Sequence, residues 1–124
     1  MRQNVISDKS KKFALRIIEM SKFLTAQKRE FILSKQVLRS GTSIGANIRE
    51  ALAAQTDADF LSKLYSSFKE ANETAYWLEL LHESDYLDEK TYNSIYADCQ
   101  EIIKILASIT KTQKGKILQI KSQA

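Results

Sequence analysis

The sequence contains no proline and only three glycines in 124 residues. Proline interrupts helices, and proline with glycine builds most tight turns, so a chain this poor in both has few reversals available and must use long elements. Long elements within the length of one ordinary domain mean helices, not the many short strands of a sandwich or barrel. An apolar share of 44% with 27% charged residues is that of a globular chain, which removes the disordered and fibrous alternatives.

Apolar spacing then locates four helices. The first is expected over 8–26, capped by Ser7, with Phe13, Ile17, Met20 and Leu24 at intervals of four, three and four. The second, over 34–55, gathers Val37, Leu38, Gly41, Ile44, Gly45, Ile48, Ala51 and Leu52 into one arc at about 100° per residue. The third, over 57–83, opens on Asp57 and Asp59 and aligns Phe60, Leu64, Phe68, Ala71, Ala75 and Leu78. After a short Ser84-Asp85-Tyr86-Leu87 link, the fourth, over 88–113, is capped by Asp88 and carries Tyr92, Ile95, Tyr96, Cys99, Ile102, Ile103, Leu106 and Ile109 on one face. Helices joined by short links run in opposite directions. The expected fold is therefore all-α, an antiparallel up-and-down four-helix bundle, with 1–124 as a single domain.

Ser40-Gly41-Thr42-Ser43 also fits the glycine-containing turn of a helix-turn-helix, which would split the second helix. The apolar stripe stays in phase from Leu38 to Leu52, which favours one helix whose glycines allow a neighbour to approach closely. A phosphate cradle is excluded, because no Gly-Lys-Ser/Thr follows and no strand precedes.

No arrangement suited to catalysis emerges. Glu79-Leu80-Leu81-His82 is a Glu-x-x-His pair of the kind di-iron bundles carry twice, but here it occurs once and His82 is the only histidine. A charge near the end of the third helix is the simpler role for His82. Cys99 lies mid-stripe, where a buried thiol is inert, and a lone cysteine forms no internal disulfide. One histidine and no nucleophile-elbow motif leave no Ser-His-acid triad. The chain is expected to be a non-enzyme with no cofactor, metal or small-molecule substrate. No apolar run approaches the roughly 20 residues of a membrane span, and the first residues lack a signal-peptide core, so no membrane association and a cytoplasmic location are expected.

Surplus apolar surface and uneven charge point instead to partners. In the third helix Tyr76, Trp77, Leu78, Leu80 and Leu81 surround most of the circumference, and Leu61, Tyr65 and Tyr76 form a second stripe beside the core stripe. Either the C-terminal segment with Ile117, Leu118 and Ile120 caps this surface, or Leu61, Tyr65, Tyr76, Trp77 and Leu80 form a subunit interface. Residues 1–33 hold eight Lys or Arg against three acids, whereas 57–87 hold two against seven. Lys11, Lys12, Lys28, Arg29, Lys35 and Arg49 are candidate nucleic-acid contacts, with Arg39 on the same side of the second helix. The alternative is a solvated face, or pairing with acids of the third helix such as Glu70 and Glu73.

Two blocks carry a family resemblance. They are Leu33-Ser34-Lys35-Gln36-Val37-Leu38-Arg39-Ser40-Gly41-Thr42-Ser43-Ile44-Gly45-Ala46-Asn47-Ile48-Arg49-Glu50-Ala51, and Asp59-Phe60 followed by Lys69-Glu70-Ala71-Asn72-Glu73-Thr74-Ala75-Tyr76-Trp77-Leu78-Glu79-Leu80. In these the chain closely resembles the bacterial 23S rRNA intervening-sequence proteins, and more loosely it does so over nearly its whole length. The resemblance implies a four-helix bundle that assembles into a ring-like homo-oligomer, pentameric in relatives, encoded in some bacteria within insertions in large-subunit rRNA genes and without enzymatic activity. The chain is also similar to accessory proteins of diversity-generating retroelements, pentameric bundles that bind a reverse transcriptase and nucleic acid through basic surfaces. Arg39, Ser40, Asn47, Glu50, Glu70 and Glu73 match family motif positions and are read as a structural polar network. At Tyr65-Ser66-Ser67-Phe68 the sequence departs from the aliphatic and small-residue run of relatives, which puts local packing in question.

Overall fold

The computed structural model describes residues 2–123, which form α1 (Arg2–Ala26), α2 (Leu33–Leu52), α3 (Asp57–Glu83) and α4 (Glu89–Gln123). The single-helix reading of 34–55 holds: Ser40 to Ser43 lie inside an unbroken α2, and no helix-turn-helix is present there. Side-chain pairings give the directions. Ser21 meets Ser34 while Ser10 lies beside Gly45, so α1 and α2 run oppositely. Glu50 with Lys63 and Ser40 with Thr74 set α2 against α3 in the same sense. Tyr96 with Glu79 and Cys99 with Ala71 do so for α3 and α4, and Lys9 with Glu101 and Arg16 with Asp98 for α1 and α4. The result is an up-and-down four-helix bundle in which each helix packs on two neighbours and the diagonal pairs stay apart.

Ile6, Phe13, Ile17, Leu24, Val37, Ile44, Ile48, Leu64, Leu78, Leu81, Ile95, Cys99, Ile102 and Leu106 form its buried centre. Small residues bring three of the helices close. A Cβ added at Gly41 would meet Ile17 Cγ1 and Cγ2 at 2.9 Å, and one at Gly45 would lie 3.3 Å from Ser10 Oγ. Ser67, within the Tyr65–Phe68 run, is buried and donates to the Ile44 carbonyl at 2.8 Å, so a serine there ties α3 to the backbone of α2. Among the described residues, no buried side-chain nitrogen or oxygen lacks a hydrogen-bond partner.

Three boundaries differ from those expected. α1 does not start at a Ser7 cap: Ile6 lies one turn before Ser10 and two before Phe13 and is buried, so core packing extends the helix back through the cap signal. α2 ends at Leu52, short of residue 55. Its start is served from outside the helix, where the buried Glu30 carboxylate accepts from Ser34 N at 2.8 Å. Between α1 and α2, Arg29 turns the chain with φ 52°. α3 has its expected span and is capped by Thr56 Oγ1, which accepts from Asp59 N at 3.0 Å. Asp88 caps α4, accepting from Thr91 N at 2.7 Å.

The third difference is the length of α4, which continues through Gln123 instead of stopping near 113. Gln113 reaches Asp57 at the start of α3, so the bundle ends at that level and residues 114–123 rise about 15 Å beyond it. Past Thr110 no described side chain of α4 is buried. No helix among the described residues is long and apolar enough to cross a membrane.

Candidate functional site

The structure divides the expected polar network. Arg39 reaches Glu70 Oε2 at 3.2 Å and Glu73 Oε1 at 2.7 Å, bridging α2 to two successive turns of α3. The bond to Glu73 is the largest cause holding the guanidinium pKa above its ordinary value; burial opposes it, and the charge and bond of Glu70 add to the rise. Glu73 Oε1 also accepts from Trp77 Nε1 at 3.2 Å. Beneath this cluster Thr74 Oγ1 lies 2.9 Å from Ser40 Oγ and 2.8 Å from the Glu70 carbonyl, with both hydroxyl side chains buried. Asn47 and Glu50 stand apart from it. Asn47 donates to the Ser43 carbonyl within α2, and Glu50 meets Lys63 at 3.6 Å one end further along.

The six candidate nucleic-acid contacts are exposed, and among the described residues none of them makes an ion pair. Arg39, Arg16, Lys9 and Lys63, by contrast, are each held by an acid on a neighbouring helix. The six do not form one continuous patch. Lys28, Arg29 and Lys35 cluster where α1 hands over to α2, and Lys28 sits 5.9 Å over the Phe23 ring. At the other end of the same helix pair, Lys11 follows the Ser10 that faces Gly45, and Arg49 lies one turn beyond Gly45. Lys35 and Arg49 are about 21 Å apart along α2 at 1.5 Å per residue. Lys12, about 100° around α1 from Lys11, stands on the flank nearer α4.

On α3, Leu78 and Leu81 enter the core, Trp77 and Leu80 are half-buried, and Tyr76 remains 54% exposed. The Tyr76 and Trp77 rings meet at 5.3 Å, tilted by 56°. Leu61 is half-buried and Tyr65 exposed, nearer the start of the helix. The C-terminal segment does not cap this surface. α4 leaves the bundle beside the start of α3, the end opposite Trp77, with Leu118 and Ile120 exposed. Sequence reasoning missed four further exposed apolar side chains, Leu15, Phe23, Phe31 and Ile32, of which Leu15 and Phe23 line one cavity. The available signal was that Leu15 and Phe23 fall off the core stripe of α1.

Neither Cys99 nor His82 is set up for catalysis. Cys99 has no exposed surface, its Sγ lies 3.4 Å from the Ala71 carbonyl, and burial pushes its thiol up to about 12. His82, in the last turn of α3, stacks on Tyr92 with ring centres 4.0 Å apart. Among the described residues no three His, Cys, Asp or Glu side chains are grouped to hold a metal ion.

These features define an all-helical bundle locked inside by small polar residues, with its charge and apolar surplus turned outward. The chain belongs to the 23S rRNA-intervening sequence protein family, whose sequence profile matches residues 2–108. It is similar over 90% of its length, with 57% identity and a TM-score of 0.88, to a crystal structure from Bacteroides thetaiotaomicron, of which it covers 99%. That protein is of unknown function and is assigned to the S23 ribosomal protein family. No curated protein matches the chain.

Proposed function

We propose that this protein is a non-enzymatic homo-oligomeric bundle that associates with RNA or a ribonucleoprotein through the outer face of α1 and α2. The observation that carries this reading is the division of the cations. Those between helices are held by acids, while Lys11, Lys12, Lys28, Arg29, Lys35 and Arg49 are exposed and make no ion pair among the described residues, Lys28 alone acting at longer range on Asp88. Free cations in two clusters about 21 Å apart suit a polyanion with a charge every few ångströms, and not a single phosphate. Assembly, pentameric by resemblance, would use the α3 surface of Leu61, Tyr65, Tyr76, Trp77 and Leu80. Repeating the basic face around a ring multiplies weak phosphate contacts.

The test is binding of structured RNA across a salt series. Affinity should fall steeply from low to moderate salt, and Lys11→Glu, Lys12→Glu and Lys28→Glu together should lower it at least tenfold. Unchanged affinity in the triple variant overturns the RNA reading. A second reading, a structural or protein-binding ring without nucleic-acid binding, is favoured by the exposed Tyr76 and Tyr65. It requires no RNA to co-purify even at low salt.

A further inference from the structure

Two unpartnered features lie at opposite ends of the molecule. One is the overhang of α4. The core stripe of this helix, through Ile102, Leu106 and Ile109, continues in phase to Ile117 and Ile120, where no other helix is present to cover it. Residues 111–123 carry Lys111, Lys114, Lys116 and Lys121 and no acid. The other is a cavity of about 720 Å³ between the second half of α1, the α3–α4 link and the start of α4. Met20, Leu87 and Ile95 form its buried floor, and Leu15 and Phe23 are exposed at its edge. Acids outnumber cations in its wall, Glu19, Asp85 and Asp88 against Arg16 and Lys28, with Arg16 already held by Asp98, and the link from Glu83 to Glu89 holds four acids and no Lys or Arg.

We propose that the overhanging end of α4 docks into this α1–α4 cavity on a second copy of the chain, Ile117 and Ile120 entering the apolar floor and the lysines meeting the acidic rim. The charges match in sign, and an apolar helix stripe laid in an apolar groove is a common mode of recognition. The overhang cannot fill the cavity of its own chain. Ile120 lies 25 residues along the same helix from Ile95, a rise of about 37 Å, and beyond the end of the bundle. A contact that joins one end of a subunit to the opposite end of the next is head-to-tail, and closes into a ring or continues as a filament. The family profile ends at residue 108, so the overhang, though not the cavity, lies outside what the family match covers. It adds to the assembly proposed above and is independent of RNA binding.

The native thiol is buried, so engineered cysteines report without interference. A chain carrying Phe23→Cys is mixed with one carrying Ile120→Cys under mild oxidation. The expected product is a covalent heterodimer, diminished when Glu19→Lys is placed in the first chain and restored when Lys116→Glu is added to the second. Deletion of residues 114–124, which removes no buried side chain among those described, should leave the helical signal per residue nearly unchanged and lower the mass found by light scattering. Unchanged mass after that deletion overturns the proposal, as does cross-linking confined to Ile120→Cys with itself, which would assign the overhang to pairing with another overhang. Absence of RNA binding by the native chain, with the heterodimer formed as expected, would count against the RNA reading alone.

Discussion

Gly41 and Ile17 are in contact across the α1–α2 interface so closely that a single methyl group at Gly41 would fall 2.9 Å from both γ-carbons of the isoleucine. A branched side chain on one helix thus rests on bare backbone of the other, and the spacing of the two helices depends on that glycine.

Gly41→Ala should therefore destabilise the bundle by about 1–3 kcal/mol of overpacking, offset by about 1 kcal/mol of helix propensity. Combining it with Ile17→Ala should cost less than the sum of the two single changes, because the added methyl occupies part of the space vacated. Gly45→Ala, whose methyl would meet Ser10 Oγ at 3.3 Å and Ser10 Cβ and backbone carbon at the ordinary distances of 3.6 and 3.7 Å, should be near neutral. Gly115→Ala has no neighbour within 4 Å and should raise helicity without moving the urea midpoint. Urea unfolding followed by circular dichroism distinguishes the three.

The hydroxyls of Ser40 and Thr74 predict a coupled pair. Thr74→Val removes the short contact of the buried Ser40 Oγ and leaves it only the Val37 carbonyl at 3.5 Å, which should cost about 1–3 kcal/mol. Ser40→Ala leaves Thr74 its bond to the Glu70 carbonyl and should cost about 1 kcal/mol. In a double-mutant cycle the joint change should be smaller than the sum. Strict additivity would mean that the two hydroxyls do not interact.

How much of this was legible in the sequence follows from the range of the forces involved. Helix identity and the four apolar stripes depend on local periodicity, and α3 has the span its acids and apolar spacing foretold. The role of Gly41 was readable because a glycine in phase with a core stripe leaves a gap that only a closely approaching helix can fill. Ser67, Ser21 and Ser34 were not readable, since whether a serine is buried depends on the helix opposite it. The length of α4 was missed because Gly115 and the lysines resemble a helix end. Of the candidate cations, sequence could place them on helix faces but could not foresee that Arg39 would be held by Glu70 and Glu73 while Lys35 stayed free.

Alkaline pH should weaken the fold. Burial pushes the Cys99 thiol from 9.0 up to about 12, and burial together with the bond to Glu79 pushes the Tyr96 phenol from 10.0 up to about 12. Well below pH 9 both groups are protonated in the folded and the unfolded chain and contribute no slope. Between pH 9 and about 12 the unfolded chain releases protons that the folded chain retains, so stability falls as pH rises. Cys99→Ala should flatten that decline, whatever its effect at neutral pH, and urea midpoints measured across the alkaline range would show it.

Arg29 separates folding from binding. Its φ of 52° is left-handed and costs an L-residue roughly 1–2 kcal/mol, which glycine avoids at the expense of a more flexible unfolded chain. Arg29→Gly should hold or raise the thermal midpoint while removing an exposed cation from the α1–α2 end. Weaker RNA binding by this variant, with no loss of stability, would attribute the effect to charge.

The four seams of the bundle are unequal. α2 is joined to α1 and α3 through glycines and buried hydroxyls. Across α1 and α4 the polar links are Lys9 with Glu101 and Arg16 with Asp98 and Ser94, all partly in solvent, and a cavity opens between the second half of α1 and the start of α4. Exposed ion pairs contribute little, so this seam is where the molecule should first come apart. Its backbone amides on α1 should exchange with deuterium through a partial opening that spares α2 and α3, and at a lower free energy than global unfolding. The protein would then possess a clasp, a side that can part and reclose around something inserted there while the other three helices keep their shape.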